Sequence, residues 1–396
     1  MAGFLPVMAL AGGLVAGTLV SLLTGCPRVM AQDGAARSAV VSDVEGIELF
    51  EVESRLLTEF WGRPMMIQAG VVLPPGHDAS SRDTPVCFSI PGFGGSHLEA
   101  WRAGPGLRQG MSERGYPQLL YVYLNAMFPL GHHEFADSVN NGPWGTALVR
   151  EFIPQLEAKY GAAATPGGRF LTGHSSGGWS SLWLQITDPE FFGGVWSTAP
   201  DSVDFRDFTG IDVYTFENAY VDSSGVEIPL VRQGEKWVMT IRTYAQQEYA
   251  RRDYGGQFAS FDAVFSPRAE DGRPMKLFDR ETGQIDRTTA EAWRRYDISL
   301  ILRNDWERLG PLLRGRLHIY MGTLDTYRLE GAVRLMKSEL DALQSDAEIL
   351  LVDGRDHRSL LQPHPELWPQ GLLPHIHQAM RTSWEQHLAA DAAIPD

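Results

Sequence analysis

The chain has 396 residues, enough for one large domain with insertions or for two domains, and 43% of them are hydrophobic, ample for a core. With 34 basic against 49 acidic residues the formal charge is −15, and an acidic surface argues against nucleic acid and anionic membranes as partners. Two cysteines, Cys26 and Cys87, exclude a disulfide framework and a cysteine-rich metal site.

Residues 4–23 are apolar and uncharged, the composition of a signal-peptide core, although no Lys or Arg precedes them. Two exits follow. "LTGC" resembles a lipobox and would make Cys26 a lipidated first residue that holds the protein at a membrane. "VMA" fits a small-residue cleavage site before Gln32. The alternative is an uncleaved anchor, since about 20 apolar residues span a bilayer. Residues 1–31 are therefore read as a signal or lipoprotein segment and 32–45 as a linker, and the expected location is the periplasm or cell envelope.

Residues 47–57 and 65–73 read as two early strands, an antiparallel edge. Short apolar runs of the kind buried in a parallel sheet follow at 86–90, 119–124, 169–172, 194–198, 317–322 and 347–352. Helical periodicity lies between them. Leu148, Phe152, Leu156 and Tyr160 recur four apart, with Pro154 as an expected kink and Gly161 as a stop. Trp179, Leu182, Trp183 and Ile186 mark a second stripe, Val333, Met336, Leu340 and Leu343 a third, and Ile376, Met380, Trp384 and Leu388 a fourth. Alternating strands and helices mean a mostly parallel sheet, eight-stranded here, with helices on both faces. Residues 205–310 break this rhythm, and a structureless loop of that length is implausible in a compact domain. They are read as an inserted lid subdomain between two parts of the core, 46–204 and 311–390. Tyr214, Phe216, Tyr220 and Trp237 either line an apolar pocket or form the insert's own small core.

"RFLTGHSSGGWSS" places a Gly-x-Ser-x-Gly frame between a strand and a helix, the corner at which α/β-hydrolases present their nucleophile. The frame selects Ser175 rather than Ser176, which has His174 two residues before it. A serine hydroxyl needs a base, and the base an orienting acid, in the chain order Ser, Asp or Glu, His. "TLDTY" places Asp325 at the end of one strand, and "DGRDHRSL" places His357 in the loop after the next. Asp353 and Asp356 are rivals for the acid but share the base's own loop. His364, His375, His377 and His387 read as tail or helix-surface residues. The oxyanion is expected to sit between the N–H of Ser176 and one from "SIPGFGGSH", with Phe93 the choice and Gly94 next.

"NAMFPLGHHEFADSVNNGPWG" follows the fourth strand, at the same edge. It holds no His-Glu-x-x-His frame, so a metal site is not expected. His132, His133, Asp137 and Trp144 are instead read as a polar wall of the substrate pocket.

"PGFGG", "GHSSGGWSSLWLQITDPEFFGGVWSTAPDSVDF", "GTLD" and "GRDH" together resemble the putative-esterase group of α/β-hydrolases, which includes S-formylglutathione hydrolase, feruloyl esterases, enterochelin esterase and the mycolyltransferases. The resemblance covers about residues 64–200 and 312–390. It implies carboxylic-ester hydrolysis by Ser175, Asp325 and His357 without a cofactor, on a small-molecule or polymer-linked ester. Pro91-Gly92 stands where many relatives have His-Gly, and residues 205–310 have no counterpart in it. An acyltransferase would use the same triad. A peptidase, or a non-catalytic binding protein on a hydrolase scaffold, is the alternative from another class.

Overall fold

A computed structural model describes residues 43–251 and 254–392. The expected signal or lipoprotein segment, Cys26 and most of the linker lie outside them. No helix of the described residues is long and apolar enough to cross a membrane.

Eight strands form one sheet: β1 (Ile47–Glu53), β2 (Met66–Val72), β3 (Val86–Ile90), β4 (Leu120–Leu124), β5 (Arg169–His174), β6 (Gly194–Thr198), β7 (Leu317–Gly322) and β8 (Glu348–Val352). Their order is β1-β2-β4-β3-β5-β6-β7-β8. Only the β1–β2 and β2–β4 pairs are antiparallel. Every residue of β6 is buried, and Val86, Cys87, Phe88 and Ile90 of β3 are too, because helices cover the parallel strands. The β3-to-β4 crossover runs toward the β1 edge and those from β5 onward run toward the β8 edge. Right-handed crossovers of opposite direction put their helices on opposite faces. This is the α/β-hydrolase architecture that the sequence predicts.

Three details differ from the sequence reading. The first strand stops at Glu53, because Ser54 caps a helix, α1 (Arg55–Trp61), by accepting from the Leu57 N–H at 3.1 Å. The stripe through Leu148 to Tyr160 begins earlier, at Trp144, and passes through a π turn at Leu148–Phe152, where the Ile153 N–H bonds the Leu148 carbonyl. The extra residue accommodates Pro154, which has no N–H to give the preceding turn. His377 is buried, not surface, against the ring of Tyr121 with centroids 4.6 Å apart.

The insert leaves after β6, and its described residues form regular elements. It carries an antiparallel ribbon, Pro229–Gln233 with Lys236–Thr240, and helices α2 (Ile241–Arg251), α3 (Gln257–Phe265) and α4 (Arg287–Trp293). Phe205, Phe208, Phe261, Phe265 and Trp293 are all buried and pack ring against ring at centroid distances of 5.0–6.0 Å or so, within the edge-to-face and stacked range. Tyr220 is buried and its hydroxyl donates to the Arg280 carbonyl at 2.6 Å, and Tyr214 donates to Asp297 at 2.6 Å. These rings pack inward as core, and Phe265 also meets Trp179 of the helix after the serine corner at 5.0 Å, so the insert's core is continuous with that of the sheet domain, while Trp237 stays exposed. The boundary at residue 310 falls inside a helix, α5 (Ile298–Leu313), capped by Asp297. That helix packs on the one after the serine corner and leads into β7, so it is the β6–β7 crossover of the core.

Candidate active site

β5 ends at His174, and α6 (Ser176–Thr187) starts immediately after Ser175. Ser175 takes φ 61° and ψ −125°, a strained backbone for a residue with a Cβ. The turn is that sharp because strand and helix nearly touch. A Cβ on Gly173 would stand 2.0 Å from the Gly177 carbonyl oxygen, and one on Gly177 would stand 1.9 Å from that of Ile90. Three backbone bonds hold the corner: Ser175 N–H to the Thr198 carbonyl, and the N–H groups of Trp179 and Asp201 to the Ser175 carbonyl, each 3.1 Å.

Asp325 is fully buried just beyond β7. Its Oδ1 accepts from the Tyr327 N–H at 2.8 Å and the Leu329 N–H at 3.4 Å, and its Oδ2 lies 2.6 Å from Nδ1 of His357, beyond β8. With Nδ1 so engaged, Nε2 is the free ring nitrogen. Burial opposes protonation of His357, but the charge and hydrogen bond of Asp325, helped by Asp201 and Asp356, outweigh it and hold the imidazole above its ordinary range. The ring of His174 lies 4.4 Å away, centroid to centroid, yet burial and the neighbouring His357 keep it well below the usual histidine range. It is no competing base. The rivals for the acid are occupied elsewhere: Asp353 accepts from the Thr323 hydroxyl at 3.1 Å, and Asp356 caps a turn through the Ser359 N–H at 2.7 Å.

The loop "PGFGG" passes close to the serine, since a Cβ on Gly92 would stand 3.1 Å from that of Ser175. The Gly94 N–H donates to Sδ of Met127 at 3.3 Å, which removes the second choice for an oxyanion donor. Among the described residues neither the Phe93 nor the Ser176 N–H has an acceptor, and Ser176 opens α6, where orphan N–H groups collect.

The cluster at 131–145 does not wall a pocket, and that reading is corrected. Glu134 and Phe135 adopt φ of 56° and 46°, which folds the segment inward. His133 is fully buried and stacks on the buried Trp144 at 3.8 Å. Asp137 is exposed and caps Thr146 through its N–H at 3.0 Å. His132 is fully buried, 3.0 Å from the Pro91 carbonyl and 3.2 Å from Glu134, so it braces the "PGFGG" loop. No group of three or more His, Cys, Asp or Glu among the described residues is arranged to hold a metal ion.

One residue of the site escaped the sequence reading. Asp201 is buried three residues after β6, at the same sheet edge as Asp325, and that placement was the available signal. It accepts from the hydroxyls of Ser176 at 2.6 Å and Ser175 at 3.4 Å and from Nε2 of Gln257 at 3.1 Å. Burial and the charge of Glu134 push its carboxyl up to about 7, against the pull of Ser176, His357 and His132.

The fold and this constellation define an α/β-hydrolase with a serine, histidine and aspartate at the carboxyl edge of its sheet. A family model described as "Putative esterase" matches residues 62–297, and the chain belongs to that family. The match ends within the 205–310 segment and stops before Asp325 and His357. A search of curated proteins by sequence finds no match. Among solved structures, a ferulic acid esterase superposes with a TM-score of 0.52 at 12% identity, over 86% of this chain and 97% of its own. An S-formylglutathione hydrolase from Agrobacterium tumefaciens gives 0.46 at 16%, over 88% and 95%. A fluorophosphonate-binding serine hydrolase of Staphylococcus aureus gives 0.48 at 12%, over 85% and 98%.

Proposed function

We propose that the protein is a serine carboxylic ester hydrolase working through an acyl-enzyme on Ser175. The observation that carries this is the buried His357–Asp325 pair at 2.6 Å, set at the same sheet edge as a serine in a strained strand-to-helix corner. His357 Nε2 takes the Ser175 proton as Oγ attacks the ester carbonyl carbon. The N–H groups of Ser176 and Phe93 receive the oxyanion. On collapse the C–O bond to the alcohol breaks, and His357 returns the proton to the departing oxygen. Water then repeats the sequence and releases the acid. Asp325 fixes the ring so that Nε2 faces the serine and stabilises the imidazolium. In this structure the Ser175 hydroxyl is turned to Asp201 at 3.4 Å. The serine-to-base hydrogen bond is commonly long or misaligned before substrate arrives and tightens in the substrate complex.

The substrate is an ester of a small molecule or of a polymer-linked acyl group. Turnover of p-nitrophenyl acyl esters of graded length and of feruloyl esters by purified protein tests the reading, and no turnover of any ester would refute it. The insert up to residue 297, short of the core crossover helix, acts as a lid, a reading supported by the contact of Gln257 with Ser176 and Asp201 at the catalytic edge. Export is part of the proposal, resting on the uncharged apolar residues 4–23. Cys26→Ser releases the protein from the membrane fraction if the lipobox is used, whereas a mature N-terminus at Gln32 excludes the lipid.

A further inference from the structure

We infer that Arg232, which the insert contributes, is a positioning residue for the catalytic acid, so that the insert is a working part of the active site as well as its cover. This rests on the assignment of Asp325 as the partner of His357.

Arg232 lies on the first strand of the insert's ribbon and is 8% exposed. Its Nε donates to the Asp325 carbonyl at 2.7 Å, and its Nη2 donates to the Thr323 carbonyl at 3.2 Å and to Oε1 of Glu330 at 2.5 Å. Its backbone N–H bonds the Thr326 carbonyl at 3.0 Å. One side chain thus ties both ends of the acid's loop: the residue that leaves β7, and the first residue of α7 (Glu330–Ala342). Trp237, on the partner strand of the ribbon, covers the guanidinium at 5.0 Å.

The other side of the loop is tied to the base. The Thr323 N–H bonds the Val352 carbonyl and the Leu324 N–H bonds that of Arg355, each at 3.0 Å, in the segment that carries His357. The acid is therefore set between two anchors, one from the base's loop and one from the insert. A planar guanidinium with donors in a fixed fork can hold two carbonyls and a carboxylate at once, and an ammonium on a flexible stem cannot hold that set in register. Misplacing a catalytic group by about 1 Å can cost on the order of 100-fold in rate. The hydrogen bonds of Arg232 go to Asp325, Thr323, Thr326 and Glu330 and to neither Ser175 nor His357, so the route proposed for its effect on turnover is through Asp325.

A double-mutant cycle in the full-length protein isolates that route. Arg232→Ala is expected to lower kcat roughly 10- to 100-fold with KM within about twofold. Arg232→Lys, which keeps the charge, should recover only part of the loss. In an Asp325→Asn background the same Arg232→Ala change should cost less than about threefold, because the geometry it protects is already spent. An equal loss in both backgrounds, wild-type kcat in Arg232→Ala, or failure of both Arg232 variants to fold would overturn the inference in favour of a purely structural side chain. If wild-type protein turns over esters and Asp325→Asn does so equally well, the assignment of the acid has failed instead, and the single-variant data show this separately.

Discussion

Ser175 and Ser176 are adjacent hydroxyls with different work, and the difference is set by where each points. Ser175 sits in the strained corner and is half-buried, whereas Ser176 is fully buried and its hydroxyl donates a hydrogen bond to Asp201 at 2.6 Å. Ser175→Ala is expected to lower kcat by on the order of 10⁴-fold or more, leaving only what binding and the oxyanion donors supply. Ser176→Ala keeps its backbone N–H and its activity to within about an order of magnitude. It loses roughly 1–3 kcal/mol of stability, because buried Asp201 is left with one donor fewer. Steady-state kinetics and denaturant unfolding of the two variants check both statements. At the acid, Asp325→Asn should cut kcat by about 10⁴-fold, while Asp353→Asn and Asp356→Asn, whose carboxylates bond elsewhere, stay within about threefold. For pH, the proposed mechanism requires neutral His357, whose pKa is raised in the fold. kcat/KM therefore rises with pH through a midpoint above the usual histidine range. These residues were legible because a triad has a chain order, and strand ends mark where its members can sit. Asp201 was not read out, although it also follows a strand, because nothing in that order asks for a second acid. His132, His133 and Trp144 misled because a polar run in a loop looks solvated. Only the inward turn at Glu134 and Phe135 reveals it as core.

Strand-to-helix corners depend on backbone clearance, and here the glycines mark it. Gly177→Ala would press a methyl against the Ile90 carbonyl at 1.9 Å, so it should push α6 off β3 and move Ser175 with it. Both unfolding midpoint and kcat are expected to fall, whereas Gly76→Ala, with open space around its Cβ and φ 70°, should cost stability through backbone strain alone. Equal kinetic losses in the two variants would contradict this account of the corner. The strands themselves were readable from sequence because a buried parallel strand is a short, mostly apolar run without charges, as in Val86–Ile90 and Gly194–Thr198. The insert was recognised only as a break in that rhythm. Its aromatics could serve a pocket or a core equally well by type, and burial of Tyr220 and Trp293 decides for the core.

At the scale of the molecule, the described residues cluster with the insert as one compact unit, and acid should unfold it in a traceable way. His377, buried on α8 (Leu372–Ala392) against Tyr121, is pushed down to about 3 by burial alone. A histidine depressed in the fold contributes stability above its unfolded value near 6.5, and that contribution is lost as pH falls from there toward 3. The slope from this one group is up to about 1.4 kcal/mol per pH unit. His377→Phe should flatten the stability profile over that window, and an unchanged slope in urea melts at stepped pH would show that the ring is hydrated in solution.

The central claim is that Ser175 becomes acylated with His357 as its base. Intact-mass and peptide mapping after reaction with a small fluorophosphonate tests it most directly. The account predicts a single adduct on Ser175, absent from Ser175→Ala and formed far more slowly in His357→Ala. An adduct on Ser176, no adduct at all, or labelling of Ser175 at an undiminished rate without His357 would contradict it.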